Sequence, residues 1–259
     1  MFGLLRPLAF GVVILVVGLV AYQYGYRTPP APEPPAVSQT TPDREATRQI
    51  VREYLIEHPE VLEEAMKALR AKRQAAERVR AQAAIAENRA DLLSHSMSPA
   101  SGNPDGDVTM VEFFDYACGY CKRSLDVVLG LLSSDPQLRI VWKELPVLGP
   151  MSRFAARAAV AAERQGRYFE FHKAVMGTRG GLSEDAVMTI SGRIGLDVER
   201  LRQDMDDPAI EAYLDETHQL ARELGIEGTP AFVIGDTLVP GAVGEARLKE
   251  LIAEARSGG

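Results

Sequence analysis

Cysteine is almost missing from this chain: Cys118 and Cys121 are the only two among 259 residues. A pair three positions apart closes too short a loop to hold a scaffold together. A disulfide-stapled fold is therefore excluded, and any task for these thiols is chemical. A positive balance is missing too. Against 36 acidic groups stand 29 basic ones, and the net charge of −7 argues against general nucleic-acid binding. With 46% hydrophobic and 25% charged residues, neither a polytopic membrane protein nor wholesale disorder fits. At about 150 residues per domain, the length suits one large domain or one domain with accessory segments.

Leu8 to Tyr22 is an unbroken apolar run of 15 residues, preceded by Arg6 and followed by Gln23 and Arg27. Its length lies between the apolar region of a signal peptide and a full membrane span. Ala21, Gln23 and Gly25 offer no pair of small residues at cleavage spacing. Residues 1–27 are therefore expected to be an uncleaved signal anchor, with a cleaved signal peptide as the alternative. No cysteine follows the run to carry a lipid. Residues 28–42 contain six prolines and read as an extended, semi-rigid linker.

Residues 43–93 lack glycine and are rich in Ala, Glu, Arg and Gln, with one interruption at His58-Pro59. This predicts a short helix, a break, and a long helix with Pro59 near its first turn. Leu55, Leu62, Leu69, Ala76, Ala83 and Ala90 recur every seven residues, and Ala65, Val79, Ala86 and Leu93 occupy companion positions, with Lys72 the exception. A thin seam of this kind predicts a helical stem that associates with copies of itself; a spacer packed on its own domain is the alternative.

Asn103-Pro104-Asp105-Gly106, at the end of a polar loop from Ser94, signals a turn that opens the last domain, residues 94–259. From there the pattern predicts a strand at Val108–Phe114, a helix at Gly119–Leu132 and a strand at Leu138–Leu145. Several helices follow over Ser152–Leu224, then short strands at Ala231–Ile234 and Thr237–Val239 and a closing helix at Gly244–Ala255. The expected class is α/β, a sheet with helices on both faces.

Cys118-Gly119-Tyr120-Cys121 falls where an apolar strand gives way to a helix. A thiol there meets unpaired backbone N–H groups and the positive end of the helix dipole, which stabilises its thiolate. Cys118 is thus the candidate nucleophile, and Cys121, one turn on, can resolve a mixed disulfide formed by it. Zinc would want two more ligands, and the four histidines show neither finger spacing nor closeness to the pair, so no metal site is expected. Copper(I) carriers also place thiolates on a strand-to-helix loop and stand as an alternative class, although Tyr116 occupies the place where small metallochaperones usually carry methionine.

The run Glu112-Phe113-Phe114-Asp115-Tyr116-Ala117-Cys118-Gly119-Tyr120-Cys121-Lys122, together with Gly228-Thr229-Pro230-Ala231-Phe232, resembles the DsbA-like thioredoxin-fold thiol–disulfide oxidoreductases of the bacterial envelope. In the stem, Tyr54-Leu55-Ile56-Glu57-His58-Pro59-Glu60-Val61-Leu62 resembles the N-terminal segment of the suppressor-of-copper-sensitivity C (ScsC-like) proteins. The resemblance implies a thioredoxin fold with a helical insertion, a cis-proline at Pro230 facing the cysteines, and no organic cofactor. It also implies partly folded envelope proteins as clients, a membrane thiol reductase as electron donor, homo-oligomers through the stem, and a periplasmic or membrane-outer-face location. Gly119-Tyr120 matches the motif of DsbC-type isomerases, and Thr229 before the proline is likewise isomerase-like, whereas DsbA-type oxidases carry Pro-His and Val there. Isomerase or reductase is therefore favoured over oxidase. By the same resemblance Glu112 takes the place of the buried acid below the second cysteine, with a proton-accepting role for Cys121. Asp115 is expected to be a loop-surface acid, and Lys143 to face solvent rather than Glu112.

Overall fold

The computed structural model describes residues 43–258. The expected anchor at 1–27 and linker at 28–42 lie outside them. Among the described residues no helix is long and apolar enough to cross a membrane. The chain divides into two compact units between Glu63 and Glu64.

In the first unit, Asp43 caps helix α1 (Arg44–Glu57) by accepting from Glu45 N at 3.0 Å. The helix stops at His58, and α2 (Glu60–Glu87) begins directly after Pro59, whose ring suits a helix start but not an interior. Ile50, Val51, Tyr54, Ile56 and Leu62 are all exposed.

In the second unit α2 runs on to α3 (Arg89–Ser94) and to a sheet of five strands in the order β1-β3-β2-β4-β5. Strands β2 (Val108–Phe114) and β3 (Leu138–Glu144) are parallel and joined through α4 (Gly119–Ser134). Strand β4 (Ala231–Ile234) runs antiparallel to β2, with Glu112 opposite Phe232 and Phe113 opposite Ala231, and turns through Gly235 into β5 (Thr237–Pro240). Between β3 and β4 come five helices, α5 (Pro150–Glu163), α6 (Tyr168–Met176), α7 (Glu184–Arg193), α8 (Val198–Met205) and α9 (Pro208–Glu223), and α10 (Glu245–Gly258) closes the chain. Ser183, Asp197 and Asp207 cap α7, α8 and α9.

Alternation along the strands sorts the core onto the two faces. Met110, Phe114, Trp142 and Phe232 pack with α4, α5, α6 and α10 on one face, while Val111, Phe113, Val141 and Val233 pack with Ile85, Leu92, Leu220 and Leu224 on the other. Because Ile85 and Leu92 are buried in that second core, the end of α2 and all of α3 belong structurally to the sheet. The turn at Asn103-Pro104-Asp105-Gly106 forms as expected, Gly106 N bonding Asn103 O at 3.0 Å.

The stretch from Ser94 differs from a simple polar loop. It holds β1 (Ala100–Gly102), an edge strand antiparallel to β3. Ala-Ser-Gly carries no apolar alternation, so nothing in the pattern marks it. Gly102 is required there: φ is +87°, and a Cβ would lie 2.3 Å from Leu138 O.

Candidate active site

Strand β2 ends at Phe114, and a turn closed by Cys118 N bonding to Asp115 O at 3.0 Å delivers the cysteines to the start of α4. Cys118 is the N-cap residue, and its Sγ accepts from Cys121 N at 3.4 Å where a hydroxyl or carboxylate cap would usually act. The pairing of Phe113 with Ala231 brings the preceding Thr229–Pro230 peptide, which is cis, beside the same turn. Cys118 Sγ donates to Thr229 O at 3.2 Å. Two stretches 111 residues apart in sequence therefore meet at one sulfur.

The two thiols are set apart electrostatically. Burial pushes the Cys118 thiol up, but a side-chain hydrogen bond from Thr229 and the backbone N–H groups of Cys121 and Tyr120 outweigh it, and its pKa falls below the ordinary value. At Cys121 burial wins and the pKa rises. Cys118 is 6% exposed and Cys121 only 1%, so the more acidic thiol is also the one that solvent and a client reach first. Both are reduced. Tyr120 stands out at 61% exposed with the Arg123 guanidinium 4.3 Å over its ring, and Gly119 lies open beside it, where a Cβ would meet only Arg123 at 3.5 Å.

Glu112 lies on the α4 face of the sheet, level with Trp142 and Phe232 on the flanking strands. It is 3% exposed, and burial first, then the charge at Cys118, raise its carboxyl to about 8. Such a group exchanges protons near neutral pH.

Lys143 was expected in solvent and is instead buried. Its strand partner is Phe113, so it stands on the opposite face from Glu112 and cannot offset that charge. The reason is the segment from α3 to Ser98, which covers this face and supplies acceptors: Lys143 Nζ donates to Asp91 O at 2.5 Å and Ser98 Oγ at 2.7 Å. Burial lowers its pKa to about 8. Asp115 is likewise no surface acid. It is buried because its carboxylate accepts three backbone N–H groups, from Ala117 at 2.7 Å, Val147 at 2.9 Å and Leu148 at 3.0 Å.

A third buried acid, Glu144, was not singled out from sequence. Tyr168 donates to its Oε1 at 2.8 Å and Tyr116 at 3.3 Å, and Tyr116 also contacts His172 Nδ1 at 3.3 Å. Burial holds the Glu144 carboxyl well above its usual range despite the two tyrosines, and holds His172 down near 3. His172 is therefore neutral at physiological pH, its ring packed against Phe114 and Trp142. The one clue to Glu144 was its place in the alternation, on the same face of the strand as the apolar Leu138, Ile140 and Trp142. Among the described residues no group of three or more His, Cys, Asp or Glu converges as metal ligands would.

The DsbA-like thioredoxin domain family matches residues 109–253, and the ScsC N-terminal domain family of copper resistance proteins matches residues 43–76. A thioredoxin-like oxidoreductase from Silicibacter pomeroyi is 47% identical, covers 66% of this chain and 98% of its own, and superposes with a TM-score of 0.64. ScsC of Proteus mirabilis, in a transitional conformation, is 29% identical, covers 83% of this chain and 97% of its own, and superposes with a TM-score of 0.64. Among curated proteins, the Na(+)/H(+) antiporter NhaA 1 of Salinispora arenicola is 28% identical over 188 residues. That match takes in 71% of this chain, which spans only 29% of the antiporter's length.

Proposed function

The chain belongs to the DsbA-like thioredoxin family and is a thiol–disulfide oxidoreductase; from that premise we propose that it is a protein disulfide isomerase or reductase of the bacterial envelope. The observation that carries the proposal is the asymmetric pair: Cys118, acidified at the N-cap of α4, above Cys121, whose pKa is raised by burial. The Cys118 thiolate attacks one sulfur of a non-native client disulfide, forms a mixed disulfide, and releases the other sulfur as a thiolate. A client thiolate then attacks the client sulfur of the mixed bond, which forms a new client pairing and frees Cys118. If rearrangement stalls, Cys121 attacks Cys118 instead, leaving the client reduced and the enzyme pair oxidised by two electrons. In its ionised form, a minority at pH 7 that grows as pH nears 8, Glu112 is the proton acceptor for Cys121 in that step. Thr229 and Pro230 border the sulfur where the client chain docks.

The isomerase lean rests on Gly119-Tyr120 between the cysteines and on Thr229 beside Cys118. An isomerase must be kept reduced, so a membrane thiol reductase is the proposed electron donor. The seven-residue seam and the exposed Leu62, Met66, Leu69 and Val79 support a homo-oligomer through the stem, which holds several sulfur pairs around one client. Catalysed refolding of a scrambled disulfide protein tests the proposal. Recovery of native activity faster than with free thiol supports it. Net oxidation of reduced clients without reshuffling overturns it in favour of a DsbA-type oxidase.

A further inference from the structure

Between α3 and α9, on the sheet face away from Glu112, lies a cavity of about 370 Å³. Small-molecule sites span about 300–1,000 Å³. Every residue that lines it belongs to the second unit. Its floor is Lys143 on β3, which is 1% exposed. An ammonium carries three donors, and two of these go to Asp91 O at 2.5 Å and Ser98 Oγ at 2.7 Å. The third has no acceptor among the described residues. The Tyr213 ring, 5.9 Å from Nζ, stands at the outer reach of a cation–π contact, and Asp91 and Glu216 act on the ammonium only as charges at a distance. Thr217 shares the lining, is 2% exposed, and its Oγ1 makes no hydrogen bond. A buried cation without a counter-charge and a buried hydroxyl without a partner each cost free energy. The mouth of the cavity has the opposite sign, with the exposed Glu216 and Glu223 on its lining. Glu216 Oε2 meets His95 Nε2 at 3.3 Å and Glu223 Oε1 accepts from Gln219 at 2.8 Å, which leaves one oxygen of each carboxylate for another donor.

We propose that this cavity binds a small zwitterion of the α-amino-acid class, its carboxylate inward on Lys143 and Thr217 and its ammonium outward at Glu216 and Glu223. A simple anion would satisfy Lys143 but would sit beside two carboxylates at the mouth. A simple cation would suit the mouth and leave the floor without its counter-charge. A molecule that carries both charges a few bonds apart meets both ends, and Tyr213 and Leu220 offer its side chain an apolar wall. Burial lowers the Lys143 amine to about 8, so at pH 7 it is still mostly protonated and holds the charge that a carboxylate requires. The ligand's carboxylate accepts the third N–H of Lys143 and the Thr217 hydroxyl proton, the two buried donors that the chain leaves unused. Binding makes and breaks no covalent bond. The site lies across the sheet from Glu112, so it stands or falls apart from the thiol–disulfide reading.

Isothermal titration of the reduced full chain with L-serine, L-glutamine and L-leucine tests the proposal. The tightest binder is then compared with its N-acetyl form, which lacks the ammonium, with its amide, which lacks the carboxylate, and with sodium acetate. Lys143→Met keeps the length of the floor residue and removes its charge, and Thr217→Val keeps the shape and removes the hydroxyl. A Glu216→Gln/Glu223→Gln double variant alters exposed side chains only, and decides the question should the buried substitutions fold poorly. The expected result is saturable one-to-one binding of at least one amino acid, weakened about tenfold or more by loss of either charge on the ligand, by Lys143→Met and by the double variant. Reduction of a small disulfide should be the same in all of these proteins. No binding heat from any of the three amino acids up to about 10 mM would overturn the proposal. So would acetate or the N-acetyl form binding as tightly as the free amino acid, which would make the cavity a site for anions alone. Parent affinity in both Lys143→Met and the double variant would overturn it as well, by placing the ligand elsewhere.

Discussion

Replacing Glu112 with glutamine should stabilise the reduced protein, and by an amount that depends on pH. The carboxyl is buried between Trp142 and Phe232, and its pKa stands at about 8 against an ordinary 4.5, chiefly through burial. Between those two values the unfolded chain has released the proton and the folded protein keeps it, so parent stability falls as pH rises. At pH 7 the gap spans roughly 2.5 units, and at about 1.4 kcal/mol per unit the penalty is about 3 kcal/mol. Glutamine resembles the neutral acid and carries no such penalty. The variant should therefore match the parent near pH 4, exceed it by about 3 kcal/mol at pH 7, and level off near 5 kcal/mol above pH 8. Urea unfolding of both proteins under reducing conditions at those pH values measures the difference. A gap that is constant with pH, or one that widens toward acid, would refute the assignment of Glu112 as a buried, neutral acid. The same substitution should slow release of trapped clients, because Cys121 loses its proton acceptor.

Other substitutions read other parts of the site. Thr229→Val removes a side-chain hydrogen bond that favours both thiolates; alkylation of Cys118 at neutral pH should slow about tenfold and the pair should become more reducing, and unchanged values would make Thr229 a strand residue only. In the parent, the alkylation rate should reach half its maximum at a pH below that of an ordinary thiol, and a midpoint at or above the ordinary value would contradict the N-cap effect. Deleting residues 43–76, which stops short of the buried Ile85 and Leu92, should leave small-disulfide reduction intact, turn an oligomer into a monomer by light scattering, and lower scrambled-substrate refolding more than reduction. A monomeric parent would make the stem a spacer.

Strand-to-helix placement of the cysteines was legible from sequence because a largely apolar strand pattern ending at Phe114 is followed within four residues by a helix-forming run that starts after Cys118. The observed β2 has the expected bounds, Val108–Phe114. The break at His58-Pro59 was equally legible, since proline constrains its own backbone whatever surrounds it. What the sequence hid depends on partners remote along the chain. Asp115 and Lys143 carry full charge and read as surface groups by composition, yet each is buried by acceptors or donors 32 to 52 residues away. Strand β1 has no pattern of its own and exists because β3 offers an open edge. Glu144 needed Tyr168, 24 residues on, before its burial made sense.

The central claim is that Cys118 attacks and Cys121 resolves, and the most direct measurement is adduct trapping with the two single variants. Each protein is incubated with disulfide-bearing clients, free thiols are blocked, and adducts are resolved on non-reducing gels and identified by mass spectrometry. Cys121→Ala should accumulate mixed disulfides, all through Cys118, and Cys118→Ala should accumulate none and lose insulin reduction. Adducts through Cys121 in the Cys118→Ala protein, or insulin reduction equal to that of the parent, would contradict the account.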